Sequence, residues 1–286
     1  MAYAAFICFI FHGICNDPLS DPLPPSLHLL ECRALDPSDS AAVMTSRLVN
    51  ALSTEMSLIL STHPINAERA SAGKPLANAV LLRGCGAALD VPSFKDLHGL
   101  RGFMIAPTCI IAGLGTTIGL DVLKVDGATG DYATNLSAKA DRAIREITSG
   151  QYDFGFVHIK AVDDAAHDRA VERRVEWISR IDSQVVAPIV EALAHDEERP
   201  ESGGQRYAVV VTGDHSSPVI YGDHSCEPVP FVLCPVANMS IKGATENRVL
   251  CDSVVQFNEV AAARGALGRF CGAEVMPLLK HVAAAL

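Results

Sequence analysis

The chain has little charge and no surplus of positive charge. Only 20% of its 286 residues are charged, and 33 acidic residues against 23 basic ones give a formal net charge of -10. No basic field is present to hold nucleic acid or an anionic membrane surface, so neither is expected as a partner, whereas cations, metal ions included, suit the balance. The nine cysteines are odd in number, lie scattered from Cys8 to Cys271 and form no C-x-x-C pair. That argues against a disulfide framework and for reduced thiols in the cytoplasm. No apolar run reaches the roughly 20 residues a helix needs to span a bilayer. The most apolar start, AYAAFICFIF at residues 2–11, stops at His12, and with no basic residue before Arg33 it lacks the charged flank of a secretory signal. It is expected as a buried strand. Internal repeats and low-complexity stretches are absent as well.

What is present is a 49% apolar content, enough for a sizeable core, arranged as alternating strands and helices. After the proline-rich DPLSDPLPPS, a helix is expected from Asp36-Pro37, capped by Ser38 or Ser40, burying Leu48, Leu52, Met56 and Ile59 and ending at His63-Pro64. The segment HPINAERASAGKPLANAVLLRGCG that follows sets Asn66, Arg69, Lys74, Asn78 and Arg83 among small residues, a composition suited to a polar surface or ligand pocket. From Leu100 the expected order is a strand in RGFMIAP, an apolar stretch from Cys109 to Leu120, a strand in LDVLKVDG and a short helix from Ser137 to Ile147. A strand buried on both faces follows from Tyr152 to Ile159. One long helix is then expected from His167 to Ala194, kinked at Pro188, with Val171, Val175, Ile178, Ile181 and Val185 on its buried stripe. Strands at Tyr207–Val211 and in VPFVLCPV, then two helices, complete the chain.

Five residues of metal-ligand type fall just beyond the ends of two of these strands: Asp163 and His167 after the first, Asp214, His215 and His224 after the second. In open α/β sheets the crevice beyond the carboxyl ends of strands is where ligands bind. Asp163 and His167 are one helical turn apart and can share a cation, with His224 as third ligand. Asp214 and His215 are adjacent in a loop, where they can hold the same ion or flank a second. Carboxylate and imidazole ligands suit manganese, zinc, cobalt, iron or magnesium, and paired cations suit phosphoryl chemistry. His158 and Lys160 share a strand face near this crevice, while Asp126, Asp131 and Asp168 read as turn or cap carboxylates.

The strings HIKAVDDAAHD (His158–Asp168), VTGDHSSP (Val211–Pro218) and HSCEPVP (His224–Pro230), with HPINAERASAGKPLANAVLLRG (His63–Gly84) and VDGATGDYATN (Val125–Asn135), resemble the archaeal-type 2,3-bisphosphoglycerate-independent phosphoglycerate mutases of the alkaline phosphatase superfamily. The resemblance runs from about Asp36 to the end. It implies an α/β fold, an alkaline-phosphatase-like sheet flanked by helices with a smaller inserted α/β domain. Residues 1–98 would be the inserted substrate-binding domain, with an uncertain stretch at 1–35, and 99–286 the metal-binding catalytic domain. It further implies a glycolytic isomerase that interconverts 3- and 2-phosphoglycerate through a phosphoenzyme with two divalent cations, manganese first and magnesium, cobalt or zinc as alternatives. Asp163, His167 and His224 would hold one metal and Asp214 and His215 part of the other. Arg69, Asn78, Arg83 and Lys160 would face the phosphorylated glycerate.

Two departures from the family pattern are visible. No Asp-Gly strand end and no Ser or Thr nucleophile is identified upstream of the inserted domain, so the chain is expected to lack the family's first segment and, by itself, mutase turnover. Where the family tends to carry a Lys-Gly, this chain has Ala112 before Gly113 and no basic residue from Phe103 to Asp121. The alternatives are an inactive or truncated relative serving as a binding or regulatory protein, and a metal-dependent phosphatase or phosphodiesterase of the same superfamily. Oligomeric state is not legible.

Overall fold

A computed structural model describes residues 31–80, 82, 90–199, 205–239 and 252–284. The expected first strand at 2–11 lies outside them. The chain divides into two compact units, Met1–Asp90 and Val91–Leu286.

The described part of the first unit is helical, with α1 (Ser40–Thr62) and α2 (Ile65–Ser71). The cap of α1 is Asp39, whose carboxylate accepts from the Ala41 and Ala42 amides. The expected Ser38 cap is lost because its hydroxyl donates to Asp36 instead, at 2.7 Å, and Ser40 is already the first helical residue. The buried stripe is also displaced. Asn50 exchanges two hydrogen bonds with the Cys32 backbone, at 2.8 and 2.9 Å, which brings Cys32 against Val49 and Met56. Val49 is therefore buried, while Leu48, Leu52 and Ile59, expected inside, are exposed.

The second unit is layered around a parallel sheet. β1 (Gly102–Ile105), β2 (Asp121–Val122) and β3 (Phe154–Val157) are ordered β2-β1-β3. The two-residue alternation of β1 decides what covers each face. Phe103 and Ile105 pack with Ala143 of α5 (Leu136–Ile147), whereas Met104 packs with Phe94 of α3 (Phe94–His98), Leu120, and Ile111 of α4 (Cys109–Thr117). All four residues of β1 are buried. β3, expected to be buried on both faces, is instead an edge of the described sheet, with Gly155 and Phe156 exposed.

The single helix expected from His167 to Ala194 is not formed: α6 (Ala161–His167) ends where that helix is expected to begin, and α7 (Val171–Ile181) and α8 (Ala187–Glu197) follow. Arg169, with φ 54°, breaks the first from the second. A π-helical turn at Asp182–Val186 separates the second from the third, directly before Pro188, which lacks an amide donor and falls in the first turn of α8. Trp177 and Val185 are buried against Leu136 and Ala140, with Ile181 packed beside them. Val171, Val175 and Ile178, expected on the same stripe, are exposed. β4 (Ala208–Thr212) pairs antiparallel with β5 (Phe231–Pro235), in a sheet of its own. α9 (Val236–Met239), α10 (Glu259–Ala262) and α11 (Val275–Ala284) follow. Among the described residues no helix is long and apolar enough to cross a membrane.

Candidate metal centre

The chain leaves β3 through His158, Ile159 and Lys160 and enters α6 at once, which places Asp163 in its first turn and His167 one turn on. The loop between β4 and β5 supplies the remaining groups. It is pinched by the Ser216–Ser225 bridge, in which the Ser225 amide donates to the Ser216 carbonyl at 2.9 Å. That closure brings His215 and His224 together with ring centroids 3.8 Å apart.

Asp163, His215 and His224 each offer a ligand atom, all within 4.8 Å of one another. His167 joins them: its Nε2 lies 3.4 Å from Asp163 Oδ2 and 3.1 Å from His224 Nε2. Asp214 sits beside this group, with Oδ2 3.4 Å from His215 Nε2. The structure thus gathers all five expected ligand residues, and sets His215 with Asp163 and His224 as well as with Asp214.

Hydrogen bonds behind the ligands orient them. His167 Nδ1 faces the Gly222 carbonyl at 3.0 Å; a carbonyl only accepts, so Nδ1 carries the proton and the Nε2 lone pair of the neutral ring points into the cluster. Gly222 has φ +66°, and a Cβ there would lie 2.8 Å from Arg169 Nε and 3.3 Å from the His167 carbonyl oxygen, so only glycine fits. The loop is further held by Arg169 Nη2, which donates to the Tyr221 carbonyl at 3.1 Å, and by Arg174, which donates to the Ser217 carbonyl.

Burial pushes the Asp163 carboxyl upward, but hydrogen bonds from Lys160 Nζ at 2.9 Å and Ser217 Oγ at 2.9 Å outweigh it and hold it below the usual carboxylate range. Asp163 is accordingly an anion. Lys160 also donates to Asp164 at 2.7 Å, and against the cost of burial these bonds raise its pKa. His158 is lowered by burial, and its Nδ1 is buried without a partner.

The donor set fits a divalent cation. An ionised carboxylate and imidazole nitrogens converge, and His167 Nε2 points its lone pair at another nitrogen and at a carboxylate oxygen. Such a convergence of donors is the arrangement a cation can bridge.

Of the other expected residues, Arg69 donates from Nε to the Pro75 carbonyl at 2.7 Å, bracing its own loop, and Asn78 is exposed. Arg83 lies outside the described residues. Asn66 is structural, joining the Leu60 carbonyl and both backbone groups of Ala77. Asp131 serves its turn, accepting from Thr129 and the Ala133 amide, and Asp168 accepts from Tyr132. Ser217, Gly222, Asp164 and Arg174 are missed by reading the sequence, though Ser217 and Gly222 adjoin the histidine motifs.

Comparison with known proteins relates the chain to metal-dependent enzymes. The family model of the metalloenzyme superfamily matches residues 36–278. A 2,3-bisphosphoglycerate-independent phosphoglycerate mutase of Methanopyrus kandleri is 35% identical over 245 residues, covering 86% of this chain and 53% of the relative. A 2,3-bisphosphoglycerate-independent phosphoglycerate mutase 1 of Archaeoglobus fulgidus is 34% identical over 275 residues, covering 96% and 61%. The solved structure of the PH0037 protein from Pyrococcus horikoshii superposes with a TM-score of 0.69 at 28% identity, over 86% of this chain and 59% of that one. The chain therefore spans between about half and three-fifths of the length of these relatives.

Proposed function

The chain belongs to the metalloenzyme superfamily, and from that premise we propose that it carries the divalent-metal site of a 2,3-bisphosphoglycerate-independent phosphoglycerate mutase, a cytoplasmic enzyme of glycolysis that interconverts 3- and 2-phosphoglycerate. The observation that supports this most is the cluster of Asp163, His215 and His224, with ligand atoms within 4.8 Å of one another, in a chain similar to named mutases. Asp163, His167 and His224 would hold one cation, and Asp214 with His215 would contribute to a second; manganese is the first choice among manganese, magnesium, cobalt and zinc. When bound, the cations supply charge that lowers the pKa of an attacking hydroxyl and shields the transferring phosphoryl group.

The chain's own residues prepare that chemistry. Asp163 is kept ionised and fixed by Lys160 and Ser217. His167 is locked by Gly222 with its lone pair inward. Lys160 spends two of its three N–H donors on Asp163 and Asp164, leaving one for a phosphate or carboxylate oxygen of the substrate. Arg69, Asn78 and Arg83 are proposed as further substrate contacts on the resemblance alone. The phosphoryl-accepting serine or threonine is not assigned in this chain, and residues 1–98 and 99–286 are proposed as its smaller and catalytic domains.

Calorimetric titration of 3-phosphoglycerate into the full chain tests the reading without requiring turnover. Binding that needs manganese or another divalent cation, disappears with a chelator and weakens about tenfold in Lys160→Ala is expected. Binding indifferent to the chelator would overturn the assignment.

A further inference from the structure

Ser217 is nearly inaccessible, at 4% exposure, although it lies in the loop that carries three of the histidine and aspartate ligands. Its hydroxyl has one proton to give, and two groups within reach. Asp163 Oδ1 is 2.9 Å away and His215 Nδ1 is 3.1 Å away. Asp163 is an anion and can only accept, so the hydroxyl proton goes to the carboxylate and the hydroxyl oxygen accepts from His215 Nδ1–H. The neutral His215 ring is then deprotonated at Nε2, the nitrogen 3.4 Å from Asp214 Oδ2. The Ser217 backbone is itself anchored, because Arg174 of α7 donates to its carbonyl.

We propose that Ser217 is a positioning residue of the metal centre, its hydroxyl joining a ligand from α6 to a ligand from the β4–β5 loop and fixing the His215 tautomer that turns Nε2 toward a cation. The inference rests on the metal reading above and extends it to the group behind the ligands. Such partners commonly contribute 10- to 100-fold in metal affinity. Gly222 does the same for His167 through its carbonyl, so the two rings are set by independent hydrogen bonds and can be separated by experiment.

Nitrogen-15 NMR of histidine-labelled, metal-free full-length protein, at a pH where the rings are neutral, reads the tautomers directly. His215 and His167 are both expected as Nδ1–H forms. In Ser217→Ala the His215 signal should shift toward the Nε2–H form while His167 stays unchanged, and affinity for manganese should fall 10- to 100-fold. Ser217→Thr, which keeps the hydroxyl, should restore the tautomer and most of the affinity. A wild-type His215 in the Nε2–H form overturns the proposal without any variant, and so does a Ser217→Ala protein of unchanged tautomer and affinity. Absence of metal binding in the wild type itself would instead overturn the metal reading, while the tautomer result would still judge Ser217.

Discussion

At the scale of single residues, the site packs one carboxylate held ionised against three imidazole rings. Asp163 is within hydrogen-bond or near-contact distance of Lys160, Ser217, His167 and His224. Asp163→Ala and His224→Ala should each abolish tight manganese or zinc binding in calorimetry, whereas Asp168→Asn, which alters only a bond to Tyr132 and the Arg173 pairing, should leave it within about threefold. Retained affinity in Asp163→Ala would remove that residue from the ligand set. A second residue-scale prediction concerns Lys139, which is fully buried and donates to the carbonyls of His158 at 3.1 Å and Thr129 at 3.5 Å. Burial lowers its pKa from 10.5 to about 8. Between those values the unfolded chain holds a proton that the folded chain has released, so stability rises with pH across that window. Urea unfolding of the metal-free protein should show this gain, roughly 1–3 kcal/mol, and Lys139→Met should flatten it. An equal slope in both proteins would exclude Lys139 as its source.

At the scale of elements, the β1–β3 pairing depends on an absent side chain. Gly155 lies opposite Phe103 in the parallel register, and a Cβ on it would come 2.5 Å from Phe103 Cζ. Phe103 is 1% exposed and packed with Ala143 of α5, so it cannot retreat. Gly155→Val should therefore cost about 1–3 kcal/mol, the usual range for overpacking, read as a lowered thermal midpoint. Phe103→Leu in the same background should recover part of that loss as a favourable coupling. Additive effects would mean the strain is elsewhere. The same strand ends at Val157 and hands the chain to α6 within three residues, so weakened pairing should also loosen Asp163.

At the scale of the whole molecule, the five proposed ligand residues all belong to Val91–Leu286, and none to Met1–Asp90. A cation bound at the proposed site would therefore stabilise that unit. In differential scanning calorimetry, manganese at a hundred times its dissociation constant should add about 2.7 kcal/mol to that unit and raise its transition, leaving any separate transition of the first unit in place. A chelator should reverse the shift. A first-unit transition that moves equally would show that the ligand set or the division between units is wrong.

The candidate ligands could be named without coordinates because Asp163 with His167 and the run through Asp214, His215 and His224 are local spacings beyond strand ends, where open α/β sheets form their crevice. The alternating strand-helix order was legible for a similar reason, since buried strands and amphipathic helices write their periodicity into neighbouring residues. Helix faces were less so: one position is 100° of rotation, and in α1 the Asn50–Cys32 bonds, in α7 the packing of Trp177 on Leu136, chose which apolar side turned inward. The break at Arg169 likewise goes with a contact far along the chain, as Arg169 holds the Tyr221 carbonyl. Ser217 and Gly222 act across 54 and 55 residues of sequence, on Asp163 and His167. Hydrogen bonds between segments leave no periodicity to read, so only the tertiary structure decided how the ligands are oriented, although the sequence alone determined which they are expected to be.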